Sequence, residues 1–174
     1  MKIKAQLMLD DGEKSLAIPL PSAALTSLIC ELPDSPAYAD IYDYLSRHSN
    51  SDVRKSVASK QFLPRAATSR LIEDPVIGVV AGLLDYAKAR KDLCADEVLA
   101  ICRRDSSLAS EIARSCQNFA CDDAVLGFLE THPDESVRVE LAWNTRGPVG
   151  VLQRMAEGDS DSGVRDNAKL VLGA

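Results

Sequence analysis

The chain has 174 residues, 46% hydrophobic and 26% charged, which is enough apolar content for a buried core and rules out a disordered or fibrous chain. Twenty basic residues against 26 acidic ones give a net charge of −6, the wrong sign for broad, non-specific binding to a phosphate backbone. Aromatic residues supply only 5%, so the core must be built from Ala, Leu, Val and Ile, a palette that favours helices over a β-sandwich. No apolar run approaches the roughly 20 residues of a membrane span. Residues 1–6 also lack the apolar stretch of a secretory signal, and the expectation is a soluble, cytoplasmic protein.

Residues 2–20 alternate in polarity. Ile3, Ala5, Leu7 and Leu9 precede Asp10-Asp11-Gly12, and Leu16, Ile18 and Leu20 follow it. Period-two alternation around an Asp-Gly turn predicts a β-hairpin. A two-stranded ribbon is marginal in water by itself, so residues 1–21 are expected to cap the domain that follows, with a strand-adding binding arm as the alternative.

From residue 22 onward the pattern becomes helical. Leu25-Leu28-Ile29 and Ile41-Tyr44-Leu45 form the first two apolar segments, with Pro33 and Pro36 punctuating the join. A motif then begins at His48-Ser49-Asn50-Ser51-Asp52-Val53-Arg54. It returns in weaker form at Asp74-Pro75-Val76 through Val79 and at Arg103-Arg104-Asp105 through Leu108. It is clearest at His132-Pro133-Asp134-Glu135-Ser136-Val137-Arg138 and at Asp159-Ser160-Asp161-Ser162-Gly163-Val164-Arg165. The anchors Val53, Val79, Leu108, Val137 and Val164 are spaced by 26, 29, 29 and 27 residues.

Three residues before each anchor stand Asn50, Val76, Asp105, Asp134 and Asp161, and four of these are strong N-cap types. Four residues after each anchor stand Val57, Leu83, Ile112, Leu141 and Ala168, which completes an apolar stripe at helical spacing. Second apolar segments, Leu63-Ala67-Leu71, Val98-Leu99-Cys102, Val125-Leu126-Leu129 and Val151-Leu152-Met155, fall between the anchors. Pro64 and Pro148 sit at the starts of two of them. The predicted unit is a helix–turn–helix repeated about five times over residues 22–174. One such unit cannot bury its own apolar faces, so neighbours must stack. The fold class expected is all-α: an α-α superhelix, a solenoid, with the small hairpin at its start.

The stretch Ala142-Trp143-Asn144-Thr145-Arg146-Gly147-Pro148, followed by Val151-Leu152, Met155-Ala156, Asp159, Asp161 and Val164-Arg165, resembles one unit of the leucine-rich repeat variant family. More broadly the chain resembles HEAT-like and armadillo-like helical repeat proteins, which share the Asp-x-x-Val-Arg element. The resemblance implies a superhelix whose usual task is binding other proteins. The founding variant proteins carry an iron–sulfur cysteine cluster ahead of their repeats. Nothing before residue 30 matches it, so no cofactor is expected.

Five cysteines (Cys30, Cys94, Cys102, Cys116 and Cys121) make an odd number without a Cys-x-x-Cys pair, which predicts buried packing more than a disulfide framework or a metal site. His48 and His132 each stand five residues before an anchor, three repeats apart, too far to form a metal or catalytic pair. Arg54, Arg138 and Arg165 directly follow their anchors, where a cation opposes the helix dipole and so wants a reason. One reason is pairing with Asp52, Glu135 and Asp161, or with a neighbouring turn. The other is a ladder offered to an acidic partner. Trp143, the single tryptophan, suits either a plug between helices or a contact with a partner.

No phosphate loop, dinucleotide fingerprint or zinc-protease motif is present, and no nucleophile motif stands out. The sequence therefore predicts a non-catalytic protein–protein scaffold of unidentified partner, with Arg54, Arg138, Trp143, Arg146 and Arg165 as its partner-binding candidates. The alternative is a nucleic-acid binder or enzyme related to HEAT-like DNA glycosylases, using Arg103, Arg104, Arg114 and Arg146. Against it, the chain nets −2 over residues 1–87 (9 basic, 11 acidic) and −4 over 88–174 (11 basic, 15 acidic).

Overall fold

The computed structural model describes residues 5–10, 12, 14–84, 90 and 92–173. Ile3 and Asp11 of the hairpin pattern lie outside them. The protein is mostly helical, about 62%, with one small two-stranded antiparallel sheet. It divides into two compact units, residues 1–85 and 86–174.

The first unit opens with the hairpin, β1 (Ala5–Asp10) and β2 (Ser15–Leu20), paired from Ala5 opposite Leu20 to Asp10 opposite Ser15. Gly12 takes the turn with φ +87°, and its amide donates to Asp10 Oδ1 at 2.8 Å. Glycine suits this position, because only glycine adopts that φ without cost. Leu7 pairs with Ile18 on one face of the ribbon, and Leu7, Leu16 and Ile18 are all exposed. The face that a cap would bury is open at these three residues.

Five helices follow: α1 (Ser22–Glu31), α2 (Ala39–Leu45), α3 (Ser51–Ala58), α4 (Arg65–Ile72) and α5 (Ile77–Gly82). Within this unit α1, α3 and α5 pack in succession, while α2 and α4 pack beside them. Buried Lys60 joins the layers: its Nζ donates to the C-terminal carbonyls of α1, Leu32 at 2.8 Å and Cys30 at 3.4 Å, and it lies over the Tyr42 ring. The apolar stripe of α2 is rotated from the expected one. Tyr42 and Leu45 are buried, whereas Ile41 and Tyr44 face out. The Tyr42 hydroxyl reaches the Pro33 carbonyl at 2.9 Å, a polar handle that lets the ring enter the core.

The second unit holds α6 (Ala95–Cys102), α7 (Ser106–Arg114), α8 (Asp123–Glu130), α9 (Glu135–Ala142), α10 (Val149–Gly158) and α11 (Ser162–Leu172). Here α7, α9 and α11 pack in succession, α8 touches both α6 and α10, and α10 lies along α11. Each unit thus has two rows of short helices, with the chain alternating between them.

The local construction at the five anchors is the same. Asn50, Val76, Asp105, Asp134 and Asp161 are the N-cap residues of α3, α5, α7, α9 and α11. Side chains accept first-turn amides at four of them, as in Asn50 Oδ1 with Asp52 N at 2.7 Å and Asp161 Oδ1 with Val164 N at 2.9 Å. At the fifth, Val76 has no side-chain acceptor, and α5 starts without a side-chain cap. All five anchors are buried, and so are Val57, Leu83, Ile112, Leu141 and Ala168 one turn on. Full burial of each valine, leucine or isoleucine among them contributes roughly 1.5–3 kcal/mol, so these residues form the spine of both cores.

The cysteines divide. Cys102 and Cys116 are buried as expected, and burial pushes the Cys102 thiol up to about 12. Cys121 is half-buried, while Cys30 and Cys94 are exposed, contrary to the expectation of burial. Cys30 lies on the outer side of α1, and Cys94 is the N-cap residue of α6. Among the described residues no three His, Cys, Asp or Glu side chains gather as a metal site, and no helix is long and apolar enough to cross a membrane.

Candidate functional site

The three arginines after the anchors have structural work to do. Arg54 donates through Nη1 to the His48 carbonyl at 2.8 Å and the Ser49 carbonyl at 3.2 Å. Its Nε and Nη2 grip Asp74 at 2.6 and 3.0 Å. Arg138 repeats this: Nη1 meets the His132 carbonyl at 2.8 Å, and Nε and Nη2 meet Asp159 at 2.9 and 3.2 Å. Both pairs are largely buried, and the bonded carboxylate raises each guanidinium's pKa, which burial alone would lower. The bidentate grip explains why arginine rather than lysine stands here.

Of the two kinds of acceptor expected, the neighbouring turn is the one used: Arg54 and Arg138 take not Asp52 and Glu135 but Asp74 and Asp159, each in the turn that precedes the next anchor. A signal was present in the sequence. Asp74 and Asp159 stand five residues before their anchors, the position His48 and His132 occupy in theirs. All four side chains make the same bond, accepting the amide two residues on. Nδ1 of His48 takes Asn50 N at 3.1 Å, Nδ1 of His132 takes Asp134 N at 3.1 Å, and Asp159 Oδ1 takes Asp161 N at 2.9 Å. The histidines are turn acceptors. Arg165 also bonds the carbonyls of its own turn, Asp159 and Ser160, but not Asp161, whose carboxylate caps α11.

The remaining candidates come together on one turn, between α9 and α10. Trp143 is the C-cap of α9 and is 48% exposed, and Val149, first residue of α10, is 59% exposed. Arg146 between them is exposed, with its backbone amide bonded to Asn144 Oδ1 at 3.0 Å. Asn144 is the pivot. It is buried, and its Nδ2 donates to the Ala113 carbonyl at 3.0 Å and to Gln117 Oε1 at 3.2 Å; its carbonyl accepts the Gly147 amide at 2.8 Å. A Cβ on Gly147 would stand 3.0 Å from that carbonyl, so a larger residue would force the turn to give by a few tenths of an ångström. A buried, fully bonded amide thus fixes a tight turn whose exposed side chains include an indole and a guanidinium, with an isopropyl group at the start of α10.

Of the arginines suggested for nucleic acid, Arg114 is bonded to Glu140 at 2.9 and 3.0 Å and Arg103 lies over the Phe128 ring. Open grooves of about 670 and 400 Å³ overlie Arg54 and Arg138, and the charges central to each are paired with one another. Compared with known proteins, the chain matches no family model, no curated protein and no solved structure.

Proposed function

We propose that this chain is a non-catalytic protein-binding module: a helical-repeat solenoid of the HEAT-like, leucine-rich repeat variant kind, acting as a scaffold or adaptor in the cytoplasm. The observation that carries the reading is the Trp143 turn. Half of the only tryptophan faces solvent from a turn held rigid by Asn144, beside exposed Arg146 and Val149. Tryptophan and arginine dominate binding hot spots because a preorganised, amphipathic side chain loses little entropy on contact. The two-row packing within each unit and the recurring capped helices support the repeat reading, since such units present broad surfaces. Arg54 and Arg138 support the reading less, because their forks are filled by Asp74 and Asp159.

The test is affinity purification from a native extract with the wild type, Trp143→Ala and Arg146→Glu. A stoichiometric protein partner retained by the wild type and weakened about thirtyfold by Trp143→Ala is expected, the equivalent of a 2 kcal/mol hot spot. Equal retention by the variant, or turnover of a substrate without any partner, would overturn the reading.

A further inference from the structure

The arginine pairs are built to a common plan, and one of them is incomplete. In α3 and α9 the guanidinium spans two turns, holding carbonyls of its own turn with Nη1 and the next turn's aspartate with Nε and Nη2. In α11 Arg165 makes only the first half. Its Nη1 meets the Asp159 and Ser160 carbonyls, and no carboxylate among the described residues reaches its Nε or Nη2. The carbonyls orient the fork, and the fork stays open.

The surface around it is also unlike its counterparts. Four residues after Arg54 and Arg138 stand Ala58 and Ala142, both fully buried; four residues after Arg165 stands Lys169, exposed and only loosely paired with Asp166 at 3.9 Å. Arg165 and Lys169 share one helix face at i, i+4 spacing, near Leu170, which is 64% exposed. A buried alanine suits a packed helix, whereas a lysine suits a solvated or acidic neighbour.

We infer that this face of α11 is a receptor for an acidic turn of another protein, whose aspartate enters the Arg165 fork as Asp74 enters that of Arg54 and Asp159 that of Arg138. Lys169 attracts a second carboxylate of the same turn. The chemistry favours carboxylate over phosphate. The two forks built to the same plan, those of Arg54 and Arg138, hold aspartate, those of Arg114 and Arg154 hold glutamate, and the net charge of −6 repels a nucleic acid. The inference is independent of the Trp143 turn.

Its test uses the whole chain extended by a flexible Gly/Ser linker and a copy of residues 157–163, Glu-Gly-Asp-Ser-Asp-Ser-Gly, which holds the probe near millimolar effective concentration. The arginine Nε–H signals are followed by NMR, with those of Arg54 and Arg138 reporting that the fold is intact. The expected result is a shifted, slowly exchanging Arg165 signal. It is lost when both aspartates of the appended copy become asparagine, and absent in Arg165→Gln. An unmoved Arg165 signal, an equal shift with the asparagine copy, or a response to added duplex DNA but not to the tethered turn overturns the proposal.

Discussion

At the residue scale, burial decides which ion pairs matter. Asp159 is 4% exposed beneath Arg138, so removing the guanidinium leaves a largely buried carboxylate without its counter-charge. Arg138→Ala is expected to cost on the order of 3 kcal/mol, read as a lowered urea midpoint. Arg154→Ala should move that midpoint much less, because Arg154 reaches Glu130 from an exposed position, where solvent screens the pair. Asp105 and Asp134 contribute to acid sensitivity. Hydrogen bonds from Ser107 and Ser136 hold these carboxyls below the ordinary value of 3.8. The folded state then binds fewer protons than the unfolded chain, so their contribution is complete well above pH 3.8 and disappears as the pH falls below it. Urea titrations between pH 2 and 7 should show the midpoint falling through this window, and Asp105→Asn with Asp134→Asn should flatten the fall while keeping the caps.

At the scale of elements, the short helices depend on caps and on close approach. Removing a cap, as in Asn50→Ala, should cost about 1 kcal/mol of thermal or chemical stability, since two amides of α3 lose their acceptor. Gly82 at the end of α5 is tighter still. A Cβ there would lie 3.0 Å from both the Ala58 side chain and the Lys55 carbonyl of α3, and backbone cannot yield as a flexible side chain can. Gly82→Ala is therefore expected to destabilise the first unit by about 1–3 kcal/mol, against the usual gain from alanine in a helix, as calorimetry would read. The cap positions were legible in the sequence because an N-cap is a local bargain between one side chain and its own next two or three amides. The rotation of α2, burying Tyr42 in place of Ile41 and Tyr44, was not legible. It turns on the Pro33 carbonyl, nine residues away in sequence and presented by a different segment.

At the scale of the molecule, net charge and the consumption of its cations point the same way. With Arg54, Arg114, Arg138 and Arg154 all engaged by carboxylates and a net charge of −6, labelled duplex DNA should show no anisotropy change, even at low salt. Salt-dependent binding there would restore the glycosylase-like alternative. The helices alternate between two rows inside each unit, because each is apolar along one stripe and too short to stand alone.

Spacing by itself determined the helical class, the five cap-and-anchor registers and the Asp-Gly hairpin, since each depends on residues within one or two turns of chain. Only tertiary structure decided which charges are spent and which are free. The partner of Arg54 lies 20 residues on and that of Arg138 lies 21, the indole of Trp143 stays half in water, and no carboxylate among the described residues enters the fork of Arg165. Such pairings depend on distances through space, set by how neighbouring helices stack, and these are not written in the local period of the chain.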